Sequence, residues 1–69
     1  MRFGILGNFN KDNFYNIFND LAQFLNNNNI DFYLAKNKKL RLDEVLFKEN
    51  VCDFDFVLKE SDIILSIGG

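Results

Sequence analysis

Apolar and polar positions divide this chain into short apolar runs and one longer periodic stretch. Phe3, Ile5 and Leu6 lie in Arg2 to Leu6, a short apolar run that predicts a first strand. Gly7-Asn8-Phe9-Asn10-Lys11-Asp12 follows as a loop, with Asn10 or Asp12 the expected helix N-cap. From Asn13 to Asn27, Phe14, Ile17, Phe18, Leu21, Ala22, Phe24 and Leu25 recur at helical spacing. Asn16, Asn19, Asp20, Gln23, Asn26 and Asn27 fill the opposite face. Asn26 to Asn29 ends this helix, because asparagine tolerates the left-handed C-cap geometry.

Ile30 to Ala35 reads as a second strand, so the first part of the chain is strand, helix, strand. That crossover is long enough for a right-handed parallel βαβ unit. Leu42 to Asn50 predicts a short helix begun by Asp43-Glu44, with Leu42, Val45 and Leu46 apolar. Val51 to Asp53 is a short extended piece or a loop. Phe54 to Glu60 predicts one or two helical turns, with Phe54, Val57 and Leu58 inward. Asp62 to Ile67 is the last strand, and its apolar run predicts cover on both faces. It stops on Gly68-Gly69. The fold class expected is α/β, three-layered, with a mostly parallel sheet. In open sheets of that class the ligand crevice lies at the carboxyl ends of the strands. Gly68, Gly69, Gly7 and Asn8 fall at that edge and are the candidate ligand-binding residues. Glycine there lets a ligand approach the backbone.

Length sharpens this picture. The chain of 69 residues makes at most one small domain. At that size burial barely offsets chain entropy. A chain that stops on a glycine pair straight after a strand reads as the amino-terminal part of a longer protein. With one cysteine, Cys52, and no histidine there is no internal disulfide and no Cys/His zinc set. A free cysteine fits a reducing, cytoplasmic setting. The net charge of −2 gives no overall pull toward nucleic acid or anionic lipid. No apolar run approaches the roughly 20 residues needed to span a bilayer. Phe, Tyr, Met, Ile, Asn and Lys make up 35 of the 69 residues, a bias toward A/T-rich codons. It warns against reading the asparagine clusters as function.

Gly4 and Gly7 flank the first strand but do not complete Gly-x-Gly-x-x-Gly, and no Gly-x-x-x-x-Gly-Lys loop is present. Gly7-Asn8 reads first as a tight turn and second as crevice lining. Lys36-Asn37-Lys38-Lys39-Leu40-Arg41 is a basic turn that reads as solvated surface, with phosphate contact the alternative. Asp53, Asp55, Glu60 and Asp62 precede the last strand, at its amino end, and read as loop and helix-start charge. Cys52 reads as a small packed hydrophobe.

Ser61-Asp62-Ile63-Ile64-Leu65-Ser66-Ile67-Gly68-Gly69 resembles the segment that leads into Gly-Gly-Asp-Gly-Thr in the NAD kinase family. Phe3-Gly4-Ile5-Leu6-Gly7-Asn8 and Ile30-Asp31-Phe32-Tyr33 resemble that family's first two strands more loosely. The resemblance implies that residues 1–69 are part of an amino-terminal α/β nucleotide-binding domain, with a carboxyl-terminal domain not included. It implies transfer of the γ-phosphoryl of ATP, or of polyphosphate, to the 2′-hydroxyl of NAD, assisted by Mg²⁺ or another divalent metal. Partners would be nucleotides, with no nucleic acid and no membrane, and the full-length protein would form a homo-oligomer. The family's proposed base is the aspartate that follows the two glycines, so only Gly68 and Gly69 map onto the motif. The loop after the first strand lacks the family's basic anchor. Diacylglycerol-kinase-like and phosphofructokinase-like enzymes share the arrangement. A non-catalytic flavodoxin-like or receiver-like module is the reading from another class.

Overall fold

The apolar positions of the first strand place it at the centre of the sheet. In the computed structural model, which describes residues 1–11 and 13–68, β1 (Arg2–Gly7) lies between β2 (Asp31–Ala35) and β4 (Ile63–Ile67). A two-residue strand, β3 (Val51–Cys52), lies outside β2, so the order is β3-β2-β1-β4 and every pairing is parallel. Phe3 stands beside Phe32 and Ile63, and Ile5 beside Leu34 and Leu65. Neighbours in a parallel register face the same side, so one face of the sheet collects Phe3, Ile5, Phe32 and Leu34.

Helix α1 (Phe14–Asn27) covers that face. Phe14, Phe18, Ala22 and Leu25 are buried in one cluster with Ile5, Phe32 and Leu34. Aromatic rings run through it. Phe14 and Phe18 stack with centroids 5.9 Å apart, Phe18 meets Phe32 edge-on at 6.4 Å, and Phe32 meets Phe47 at 5.9 Å. Ile17 and Phe24, expected on the packed face, are exposed instead. The apolar stripe of α1 is wider than the surface the sheet offers it.

The helix ends as its asparagines predict. Asn29 adopts φ 57°, the Asn29 N–H donates to Asn26 O (3.1 Å) and the Ile30 N–H to Leu25 O (2.9 Å). These are the two bonds of a Schellman cap, and Ile30 carries its apolar contact into the core. The start differs from expectation. Asn13 occupies the N-cap position with no side-chain capping bond, and Asn10 lies in the preceding turn. Asp12, the other cap expected, lies outside the described residues.

The β2–β3 connection does not form the expected helix from Leu42. It makes two 3-10 turns, Leu42–Glu44 and Lys48–Asn50. Between them Val45 is fully buried against the α1 side. The side chain of Asn19 fixes this path: its Nδ2 donates to Glu44 O (2.9 Å) and its Oδ1 accepts from the Leu46 N–H (3.1 Å). Asn50 Nδ2 likewise donates to Phe32 O (2.8 Å). These asparagines satisfy backbone groups at sites that composition alone reads as filler.

Helix α2 (Phe54–Glu60) covers the opposite face. Gly4 lies beneath it and beneath Ser61, and Phe56 meets Tyr33 edge-on at 5.2 Å. Val57 is fully buried, but Phe54 and Leu58, expected inward, are 48% and 46% exposed. Ile63 and Ile64 are also exposed. The last strand is therefore not covered on both faces. It stands at the sheet edge, and among the described residues it pairs with β1 alone. Among the described residues no helix is long and apolar enough to cross a membrane.

Candidate functional site

The strand order decides where a site can form. The chain steps from β1 to β2 to β3, then returns past β1 to lay down β4. Its direction across the sheet thus reverses between β1 and β4. In open α/β sheets the ligand crevice opens at that point, at the carboxyl ends of the strands. Gly7 pairs with Ile67 there, and the Asn8 N–H donates to Ile67 O at 3.1 Å. The loops that carry Gly7-Asn8 and Gly68, remote in sequence, are joined by this bond.

Gly68 adopts φ 72°, a conformation that side chains rarely take. A Cβ there would lie 3.2 Å from Lys11 Cγ and 3.7 Å from Asn8 Cβ. The backbone angle selects glycine, and a side chain there would also press on Lys11. Gly69 lies outside the described residues. Gly7 differs from its expected role. It is the last residue of β1 rather than a turn, and a side chain on it would run into the Phe14 ring. Its smallness lets α1 settle close to the strand.

A cleft of about 510 Å³ opens beside these residues. Gly7, Asn8, Phe9 and Asn10 form one wall, and Asn37, Lys38 and Lys39 form the other. Both walls are pinned by short turns. Asn8 Oδ1 accepts from the Asn10 N–H (3.2 Å), and Asn37 Oδ1 accepts from the Lys39 N–H (2.8 Å). The cleft lies on the β2 side of Asn8, whereas Gly68 stands on the β4 side with Lys11. The expected residues Gly7 and Asn8 line it, and Gly68 does not.

Sequence reasoning placed the basic turn in solvent. Lys38 and Lys39 are exposed, as expected, and they also line the cleft. The missed signal was position: the turn leaves β2 at the same sheet edge as Gly7. Lys36 forms an ion pair with Asp53 at 3.3 Å, outside that wall. Asp53 and Asp55 follow β3 at its carboxyl end, not at the amino edge expected of them, whereas Glu60 and Asp62 lie at that amino edge. Arg2 bonds Glu60 at 3.1 Å, its N–H donates to Asp62 Oδ2 at 2.8 Å, and the Asp62 N–H returns to Arg2 O at 2.8 Å. Glu60 and Asp62 therefore tie β4 to β1 at the amino edge, away from the crevice. Among the described residues no cluster of three or more His, Cys, Asp or Glu is placed to hold a metal. Among the described residues the cleft wall carries no carboxylate either.

Cys52 is half-buried, with Sγ 3.8 Å from Asn50 O. Burial, and then the charge of Asp53, push its thiol above the ordinary range, against an opposing effect of Lys36. That shift lowers its thiolate fraction and so its reactivity.

No family model, no curated protein and no solved structure matches this chain.

Proposed function

We propose that this chain is the nucleotide-binding amino-terminal part of an NAD-kinase-type enzyme, which moves the γ-phosphoryl of ATP to the 2′-hydroxyl of NAD. The observation that supports this most is Gly68. It is a left-handed glycine at the carboxyl end of β4, set against Asn8 where the strand order reverses. That is where a nucleotide-binding glycine pair would need to stand.

The residues on hand suit binding rather than chemistry. Glycines admit the ligand, amides orient it, and lysines neutralise phosphate. Phosphoryl transfer rests chiefly on such positioning and charge neutralisation. The described residues supply no base beside Gly68. The proposed base is the aspartate that follows the two glycines in the family. Diacylglycerol-kinase-like and phosphofructokinase-like activities share this geometry and differ in the acceptor hydroxyl.

Reading the coding sequence past Gly69 tests the proposal. Asp-Gly-Thr followed by an apolar helix is expected, and any unrelated continuation sinks the reading. The 69-residue chain itself is expected to form no NADP from ATP and NAD. In an NMR titration, NAD is expected to shift the amides of Gly7, Asn8 and Gly68 ahead of those at the amino edge.

A further inference from the structure

We infer that the cleft between the loops after β1 and β2 binds a di- or triphosphate chain, inorganic or carried by a nucleotide, on Lys38 and Lys39. The inference rests on the nucleotide reading for the rest of the ligand, and on the cleft itself for the phosphates.

Charge is the first support. Among the described residues the wall holds two lysines and no carboxylate. Neither lysine forms an ion pair among the described residues, whereas neighbouring Lys36 is held by Asp53. The overall charge of −2 conceals this sorting. Glu60 and Asp62 are tied to Arg2 at the amino edge of the sheet, and Lys11, Lys38 and Lys39 stand at the carboxyl edge. An anion that enters the cleft meets Lys38 and Lys39.

Hydrogen-bonding capacity is the second. Asn8 and Asn37 already use their side-chain oxygens on the Asn10 and Lys39 N–H groups. These bonds orient each amide and leave its NH₂ free to donate to a ligand. The opposed walls thus present donors and cations, and phosphate oxygens are acceptors with negative charge.

Shape is the third. A volume of about 510 Å³ lies in the range of small-molecule sites. Phe9, the aromatic residue of the wall, is itself buried, with its ring 4.7 Å from Phe14 and 6.4 Å from Tyr15. That ring is not free to stack a base, so the cleft itself suits phosphate rather than nucleobase. The turns that carry the lysines are also closed, by the Leu40 N–H on Asn37 O (3.2 Å) and the Lys11 N–H on Asn8 O (3.1 Å). Ordered loops lower the cost of gathering a polyanion.

The test is titration of the isotope-labelled chain with sodium tripolyphosphate, with ATP and NAD as separate arms. Tripolyphosphate is expected to shift the amides of Gly7, Asn8, Lys38 and Lys39, with affinity that falls as salt rises. Lys38→Gln/Lys39→Gln is expected to weaken it at least about tenfold, through loss of two charge-assisted contacts. Lys48→Gln/Lys59→Gln removes the same charge elsewhere and is expected to change it less than about twofold. Equal effects of the two pairs, or no shift at the cleft, overturn the inference. Competition by ATP identifies a nucleotide as the source of the phosphates. Tripolyphosphate binding without ATP competition identifies an inorganic chain, and the nucleotide reading then fails while the cleft stands. NAD shifts at Asn8 and Gly68, with tripolyphosphate silent at Lys38 and Lys39, sink the cleft and leave the nucleotide reading intact.

Discussion

The two faces of the sheet are built from similar residues and end in different states. The α1 face buries Ile5, Phe14, Phe18, Ala22, Leu25, Phe32, Leu34 and Val45 in a single cluster crossed by aromatic contacts. The α2 face buries Val57 and Ala35, and leaves Phe54, Phe56, Leu58 and Ile64 substantially exposed. The difference follows from length and reinforcement. Helix α1 has 14 residues and is backed by the β2–β3 connection, which Asn19 holds down. Helix α2 has seven residues and works alone. Hydrophobicity places a residue near a face, but cover on that face requires a second element to reach it. Stability should accordingly sit on the α1 side.

The strongest way to break this comparison is truncation on each face. Phe18→Ala removes a fully buried ring and is expected to cost about 3–5 kcal/mol, read from the urea midpoint. Phe56→Ala, at a ring that is 43% exposed, is expected to cost no more than about 1 kcal/mol. Equal losses would show that the two faces share the load.

Gly7 sharpens the point at the seam between core and crevice. Gly7→Val drives a side chain into Phe14 and is expected to cost about 1–3 kcal/mol. Gly68→Ala, at φ 72° with Lys11 close by, is expected to cost about 1–2 kcal/mol through backbone strain. It should also weaken any ligand bound at that edge. A Gly68→Ala chain as stable as the parent would remove the argument that glycine is required there.

Asn19→Ala tests the reinforcement itself. Glu44 O and the Leu46 N–H would lose their side-chain partner, at an expected cost of about 1 kcal/mol because water can replace it. Hydrogen exchange at Leu46 should quicken while the strands stay protected. Unchanged exchange would mean that the connection is held by Val45 alone.

The smallest effect belongs to Cys52 on the thin edge of the sheet. Its thiol is raised in the folded chain, so the folded state holds that proton more tightly than the unfolded state does. Stability contributed this way is present below the ordinary thiol range and falls as pH rises through and beyond it. Alkylation of the folded chain should be slower than that of an unfolded peptide thiol at the same pH, and Asp53→Asn should speed it. A faster folded-state reaction would contradict the assigned cause.

The elements were largely legible in the order of residues. Helical spacing from Phe14 to Leu25, the asparagine run at 26–29 and the apolar run at 63–67 each specify local structure through short-range geometry. What misled was treatment of each element as if it were certain to be covered. Ile17, Phe24, Phe54, Leu58, Ile63 and Ile64 carry the same apolar signal as the buried residues. Periodicity tells which way a side chain points and not what stands opposite. The candidate site was half legible. The glycines announced an edge, whereas Lys38 and Lys39 looked like any exposed basic turn.

By itself the sequence determined the alternation of strand and helix, the Schellman cap at Asn29 and the demand for glycine after the last strand, because propensity, capping and backbone sterics act over a few residues. The tertiary structure alone decided that β4 lies beside β1, that Gly7 makes room for Phe14, and that Asn8 joins Gly68 on one side and faces Lys38 and Lys39 on the other. Those relations depend on strand order and on crossover direction, and the residues that fix them are separated by up to 60 positions, as in Arg2 with Asp62. No local pattern encodes such a pairing, since it is selected by the packing of the whole sheet.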